Sequence, residues 1–282
     1  MIGIQPDEIK KSVFAMRLSQ VHPVFYHLRV QQKRLFRGTA NVWQASRFAQ
    51  TQSLENLPHT CIKHQSLLRR KMGSTDPQLQ ENKIVNLGIA HKTIDGLIIQ
   101  PGEIFSFWRR VGNPTAAKGY VEGLQLSKGD VKTGTGGGLC QLGNLLYWMV
   151  LHTPLEVIER HHHSFDPFPD ERRVLPFGSG ASVFYNYIDL RFSNPTEQSF
   201  QLRVWLTDEH LKGAVRTGKE WPLSYHIIEK EHRFLRESDK TYRTNEIWRE
   251  VIDKSAGNKL KEELVIKNFS EVKYSIESLE NN

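Results

Sequence analysis

The chain has 282 residues and a mass of 32.6 kDa; 38% of its residues are hydrophobic, 24% charged and 10% aromatic. These values describe a globular chain able to bury a core and exclude a collagenous, wholly disordered or disulfide-scaffold protein. The net charge of +7 is uneven: residues 1–80 carry 12 Lys/Arg and 4 Asp/Glu, the remainder 26 and 27.

The basic arm, residues 1–80, reads as one or two helices broken near Pro23, followed by a connection over 56–77. Such an arm is suited to an anionic surface such as membrane lipid, or is simply a solvated pair of helices. No nucleic-acid-binding signature accompanies it, so nucleic acid is not an expected partner. The opening residues do not read as a signal peptide, because Arg17 interrupts the apolar patch Val13–Met16. The longest apolar run, Leu145–Leu151, falls short of the roughly 20 residues of a membrane span. A cytoplasmic chain, peripheral to a membrane at most, is expected.

From Glu81 to Ile94 the apolar positions Ile84, Leu87, Ala90 and Ile94 recur at helical spacing. Short strands follow at Leu97–Gln100 and Ile104–Trp108, separated by the turn pair Pro101-Gly102. Strands at Tyr120–Leu126 and Val131–Thr133 flank the turn Lys128-Gly129-Asp130. Leu139–His152 is apolar on every side and reads as a buried helix. Leu155–Glu159, Ala181–Phe192 and Phe200–Leu206 read as strands, and Glu246–Lys254 as a helix within a polar extension, with a strand pair at Glu263–Lys267 and Val272–Ile276. The fold class is α+β: a mixed or antiparallel sheet with a buried helix beginning at Gly-Gly-Gly-Leu-Cys-Gln. Its domain comprises residues 81–228, between the arm and an extension over 229–282.

The run Gly136-Gly137-Gly138-Leu139-Cys140-Gln141 carries the chemistry. A helix starting near Cys140 sets its sulfur among unpaired N–H groups at the positive end of the helix dipole. Both favour thiolate, the nucleophilic form, and the N–H groups of Gly138–Gln141 could hold an oxyanion. The alternative is a buried cysteine acting as a small hydrophobe. Arg160-His161-His162-His163 follows one helix and one strand later and offers a base; alternation puts His161 and His163 on one face. No metal-ligand spacing is present, and no metal or cofactor is expected. Glu103 and Ser106, in Pro-Gly-Glu-Ile-Phe-Ser-Phe, are further polar candidates for the site, or members of a turn and a core strand.

Glu81-Asn82-Lys83 with Asn86-Leu87, Lys92-Thr93-Ile94-Asp95-Gly96, Pro101–Trp108, Gly119-Tyr120, Gly136–Gln141, Arg160 with His163, and Asp189-Leu190 with Asn194 occur in that order. In this succession the chain resembles the VanW family, known from vancomycin-resistance gene clusters, over about Ile84–Leu206. The resemblance implies cell-wall chemistry, and for some secreted members L,D-transpeptidase action through the cysteine of the glycine motif. It makes Cys140 the nucleophile and His163 the base, with Asp189 as orienter. Gly136, Gly137, Gly138, Gln141, Glu103, Ser106 and Arg160 fall to substrate or oxyanion. The implied partner is a peptidoglycan peptide or precursor. Many members have Asp-Ala-Thr-Val where this chain has Gly180-Ala181-Ser182-Val183, so an Asp at position 180 is missing. The order Cys, His, Asp is also that of papain- and transglutaminase-like cores. Two classes of function stay open: a cysteine-dependent acyl transferase, and a non-catalytic module that binds a cell-wall precursor or a partner enzyme.

Overall fold

The structure, a computed structural model, describes residues 23–69, 76–127, 130–162, 165–166, 175–185 and 188–274. The chain divides into two units, Met1–Ser46 and Arg47–Asn282. In the first, helix α1 (Pro23–Trp43) begins at its proline, a residue preorganised for a first helical turn. Residues 1–22 lie outside the described residues. Among the described residues, no helix is long and apolar enough to cross a membrane.

The second unit is α+β. Its elements in chain order are β1 (His59–Leu67), α2 (Gln78–Ala90), β2 (Ile98–Ile99), β3 (Ile104–Ser106), α3 (Phe107–Val111), β4 (Glu122–Ser127), β5 (Asp130–Thr135), α4 (Cys140–Leu151), β6 (Glu156–Glu159), β7 (Phe165–Asp166), β8 (Arg191–Ser193), β9 (Phe200–Leu206), β10 (His210–Thr217), β11 (Leu223–Glu237), β12 (Lys240–Asp253) and β13 (Lys259–Val272). One sheet has the order β1-β10-β9-β2, a second β11-β12-β13-β7, and a third β3-β8-β6; β4 and β5 form a separate hairpin. All pairs are antiparallel except β13 with β7.

The core forms around α4. Leu142, Leu145, Leu146, Met149 and Val150 are buried, as an apolar-all-round helix requires. Gly213 of β10 lets this helix sit close on the first sheet: a Cβ there would meet Met149 Cε at 2.7 Å. Phe105 of β3 and Phe192 of β8 stack with centroids 4.5 Å apart. Each fully buried aromatic or aliphatic side chain of this kind contributes about 1.5–3 kcal/mol.

Four readings of the sequence need correction. The stretch read as a connection contains β1, a polar strand whose ladder partner is β10. Strand reading of Ile104–Trp108 stops at Ser106, because the Ser106 hydroxyl accepts from Arg109 N and caps α3. Ala181–Phe192 is not one strand: a local bridge pairs Phe184 with Ile188, and β8 begins only at Arg191. Glu246–Lys254 is not a helix, for β12 runs through it to Asp253; of the strand pair read in the extension, Glu263–Lys267 lies within the longer β13, which ends at Val272, and residues 275–276 lie outside the described residues.

Candidate functional site

The glycine run is shaped by what presses on it. Gly136 (φ 76°) and Gly138 (φ 89°) occupy left-handed backbone. A Cβ on Gly137 would lie 2.1 Å from the carbonyl of Gly123 on β4, and one on Gly138 would lie 2.2 Å from Lys83 Cγ on α2. Asn86 clamps the same loop, its Nδ2 donating to Gly137 O at 2.9 Å and to Val121 O at 3.0 Å, while its Oδ1 accepts from Val121 N. Lys83 and Asn86 of α2 therefore face the loop, and Asn82 faces the hairpin, its Nδ2 donating to Glu122 O at 2.8 Å.

The run's own N–H groups are occupied. Gly136 N donates to Val121 O, Gly137 N to Gly134 O and Gly138 N to Leu124 O. Gln141, Leu142 and Gly143 donate to Gly138 O or Leu139 O. Among the described residues, Leu139 and Cys140 are left with N–H groups lacking a backbone acceptor. An oxyanion at this helix start would be held there and not by the glycines or Gln141. The Gln141 amide instead reaches β1, donating to Ser66 Oγ at 2.9 Å and Leu67 O at 2.8 Å.

Cys140 opens α4, and its thiol donates to the carbonyl of Val183 at 3.7 Å. The expectation of a lowered thiol pKa is overturned. Burial pushes the Cys140 thiol up, and backbone hydrogen bonds offset this only in part. The residue keeps some exposure, but its sulfur is enclosed, so desolvation outweighs the helix-start dipole. Cys61, on β1, is raised by burial to about 11.

The segment 178–183 lies along the face of α4 that carries Cys140, Asn144 and Tyr147. Asn144 Oδ1 accepts from Ala181 N at 2.7 Å and occupies the space beside Gly180, where a Cβ would meet it at 2.7 Å. Arg160 stacks on Tyr147 at 5.1 Å and donates to the carbonyls of Gly180, at 2.8 Å, and Gly178. Burial lowers the pKa of its guanidinium. Arg160 Nη1 and the hydroxyls of Ser179 and Ser182 are buried without a hydrogen-bond partner among the described residues.

The histidine run follows β6 and is not part of that strand; it lies beside the same segment, for Ser182 N donates to His161 O at 2.8 Å. His163 lies outside the described residues. His161 Nε2 pairs with Glu159 Oε1 at 3.1 Å. Burial first, then Arg160 and His161, hold the His162 imidazole below its ordinary pKa. Asp189 adjoins Glu159, to whose Oε1 its own N–H donates at 3.3 Å, but its carboxylate is turned to α3 and accepts from Ser106 Oγ (2.6 Å), Trp108 N (3.1 Å), Leu190 N (3.0 Å) and Arg191 Nε (2.7 Å). Ser106 and Asp189 thus build the cap of α3. Glu103 closes its own turn, its Oε2 accepting from Gln100 N. The carboxylate set against an imidazole of the histidine run is Glu159. Sequence reasoning missed it, although alternation on a strand puts a residue two before His161 on the same face. Among the described residues no three His, Cys, Asp or Glu side chains could hold a metal ion.

A glycine-braced hairpin feeding a cysteine-headed helix, within antiparallel sheets, is the architecture of this domain. The chain belongs to the VanW family. The model of that family, described as VanW like protein, matches residues 82–216. The vancomycin B-type resistance protein VanW of Enterococcus faecalis is 32% identical over 260 residues, covering 92% of this chain and 94% of that protein. The uncharacterized protein YoaR of Bacillus subtilis is 33% identical over 122 residues, 42% of this chain and 38% of its own length. No solved structure matches the chain significantly.

Proposed function

We propose that this chain acts in cell-wall metabolism linked to vancomycin resistance, with Cys140 as the nucleophile of an acyl transfer on peptidoglycan peptides. The observation that carries this reading is the position of Cys140 at the first residue of α4, with its own N–H and that of Leu139 lacking a backbone acceptor among the described residues. Because the thiol is held protonated, the reaction needs a base at the moment of attack and not a preformed thiolate. His163 is the assigned base. As Sγ bonds to the peptide carbonyl carbon, the imidazole takes the thiol proton and the carbonyl oxygen becomes an oxyanion held by the two N–H groups. Collapse expels the amine, which takes the proton from the imidazolium and leaves a thioester on Cys140. An incoming amine or water then attacks the thioester and restores the thiol. Arg160, with Nη1 unpartnered, is suited to a substrate carboxylate. The test is incubation of the full chain with peptidoglycan tetra- and pentapeptides, followed by intact-mass spectrometry. A peptide adduct or a released amino acid, both abolished by Cys140→Ala, supports the reading; turnover unchanged in Cys140→Ala overturns it.

The hydrogen bond from the Cys140 thiol to Val183 favours a second reading, a non-catalytic module for a cell-wall precursor. Binding of a D-Ala- or D-lactate-terminated peptide that persists in Cys140→Ala, without turnover by the wild type, would select it.

A further inference from the structure

Helix α1 carries an apolar stripe in water. Leu28, Leu35, Phe36, Val42 and Trp43 are 61%, 68%, 65%, 72% and 89% exposed. At about 100° per residue these five side chains fall within an arc of about 120°, which they share with Gln32 and Thr39. The four cations of the same stretch, Arg29, Lys33, Arg37 and Arg34, fall between about 100° and 240° from Leu28. Arg29 and Lys33, nearest the apolar margin, are exposed. No acidic residue occurs from Ile9 to Leu54, where eight Lys/Arg do.

We propose that α1 lies in the plane of an anionic lipid bilayer, its apolar arc among the acyl chains and Arg29 and Lys33 at the phosphates. Three features select this occupant. The stripe is bordered on the Arg29 side by cations, and α1 itself contains no acidic residue, which complements a negative surface. Phe36 and Trp43 supply the aromatic rings that interfacial helices use as anchors. The cationic arc excludes a transmembrane placement, in keeping with the absence of a span-grade helix among the described residues. A second copy of the chain is a poorer occupant, since joining two such stripes would bring together two helices of the same charge. The inference rests on α1 alone and is independent of the chemistry at Cys140.

The test is flotation of the full chain with large vesicles of phosphatidylcholine alone, or of phosphatidylcholine and phosphatidylglycerol in equal parts. Partition into the anionic vesicles at least about tenfold stronger than into neutral ones is expected, weakening as added salt shortens the Debye length. The charge-preserving pair Leu35→Ser and Trp43→Ser should lower that partition by about tenfold or more, with an unchanged thermal melt. Arg29→Gln with Lys33→Gln should reduce the preference for phosphatidylglycerol. Absence of partition at low salt overturns the proposal. So does partition indifferent to the serine pair, or self-association in sedimentation velocity that the serine pair abolishes while vesicles stay unbound.

Discussion

The thiol of Cys140 points at the carbonyl of Val183, 3.7 Å away, and a thiol that donates to a carbonyl is stabilised as a thiol. The helix start offers the opposite stabilisation, yet burial decides the sign. The free protein should therefore be slow toward alkylating agents at neutral pH. Measured by mass spectrometry against pH, both cysteines should inflect above the ordinary thiol value of about 8.5, Cys61 near 11. The sign for stability follows. Folded thiols keep protons that the unfolded chain releases first, so this contribution is whole below about pH 8.5. It is lost as pH rises through the unfolded value toward the folded one. Cys61→Ala should reduce the fall in the urea midpoint between pH 7.5 and 10. An alkylation inflection for Cys140 below that of a model thiol would contradict this account.

Two glycines separate local crowding from intrinsic helix preference. Gly137 is pressed against the backbone of Gly123, which cannot swing away as a side chain can. Gly137→Ala should cost about 3 kcal/mol or more, in the range of severe overpacking. Gly88 lies within α2, and a Cβ there would meet nothing within 4 Å. Gly88→Ala should stabilise by about 1 kcal/mol through lower chain entropy, raising Tm by about 2–4 °C. Equal melting temperatures for the two variants would show that the loop has room the geometry denies.

Asp189 and Glu159 divide the carboxylate roles that the sequence assigned to Asp189 alone. Asp189 is buried and satisfies four donors around α3. Removing Asp189 orphans these donors and leaves the buried Arg191 with the more distant Glu159, at 3.6 Å, so Asp189→Ala should cost about 3 kcal/mol. Glu159 is largely buried, accepts from Asp189 N at 3.3 Å and lies 3.6 Å from Arg191, so Glu159→Ala should also destabilise, by about 1–3 kcal/mol through the orphaned donors. Urea midpoints of the two variants are the readout. A Glu159→Ala variant with the wild-type midpoint would show that Asp189 alone holds Arg191 and its own backbone in place.

The elements legible in the sequence are those whose apolar pattern matches their burial. Helix α4 is apolar throughout, and β9 is buried at Phe200, Leu202 and Val204, alternate positions that face the core. Strand β12 hid because its inward positions are partly polar: Arg243 and Asn245 are buried alongside Ile247 and Val251. Without hydrophobic alternation, the pairs Ile247-Trp248 and Val251-Ile252 mimic a helical period. The cysteine and the histidine run were visible as residue types. The raised thiol was not, since it depends on Val183, 43 positions away, closing over the sulfur.

The buried Asn245 and Asn268 join that sheet to the segment beside the candidate site. Asn268 Nδ2 donates to Asn245 Oδ1 at 2.8 Å and to Phe177 O at 3.3 Å, and Asn245 Nδ2 donates to Phe177 O at 2.8 Å. The next residue, Gly178, has φ 75° and lies so close to Asn268 that a Cβ would meet its Cγ at 2.2 Å. Its carbonyl in turn accepts from Arg160. Asn268→Ala opens a small cavity and orphans an acceptor, for about 2–3 kcal/mol in all. The loss should be local as well as global. In hydrogen exchange, amides of the 175–185 segment should speed up more than those of β1, which lies in another sheet. Uniform acceleration, or none, would mean that the two asparagines do not hold Gly178 and Arg160 in place.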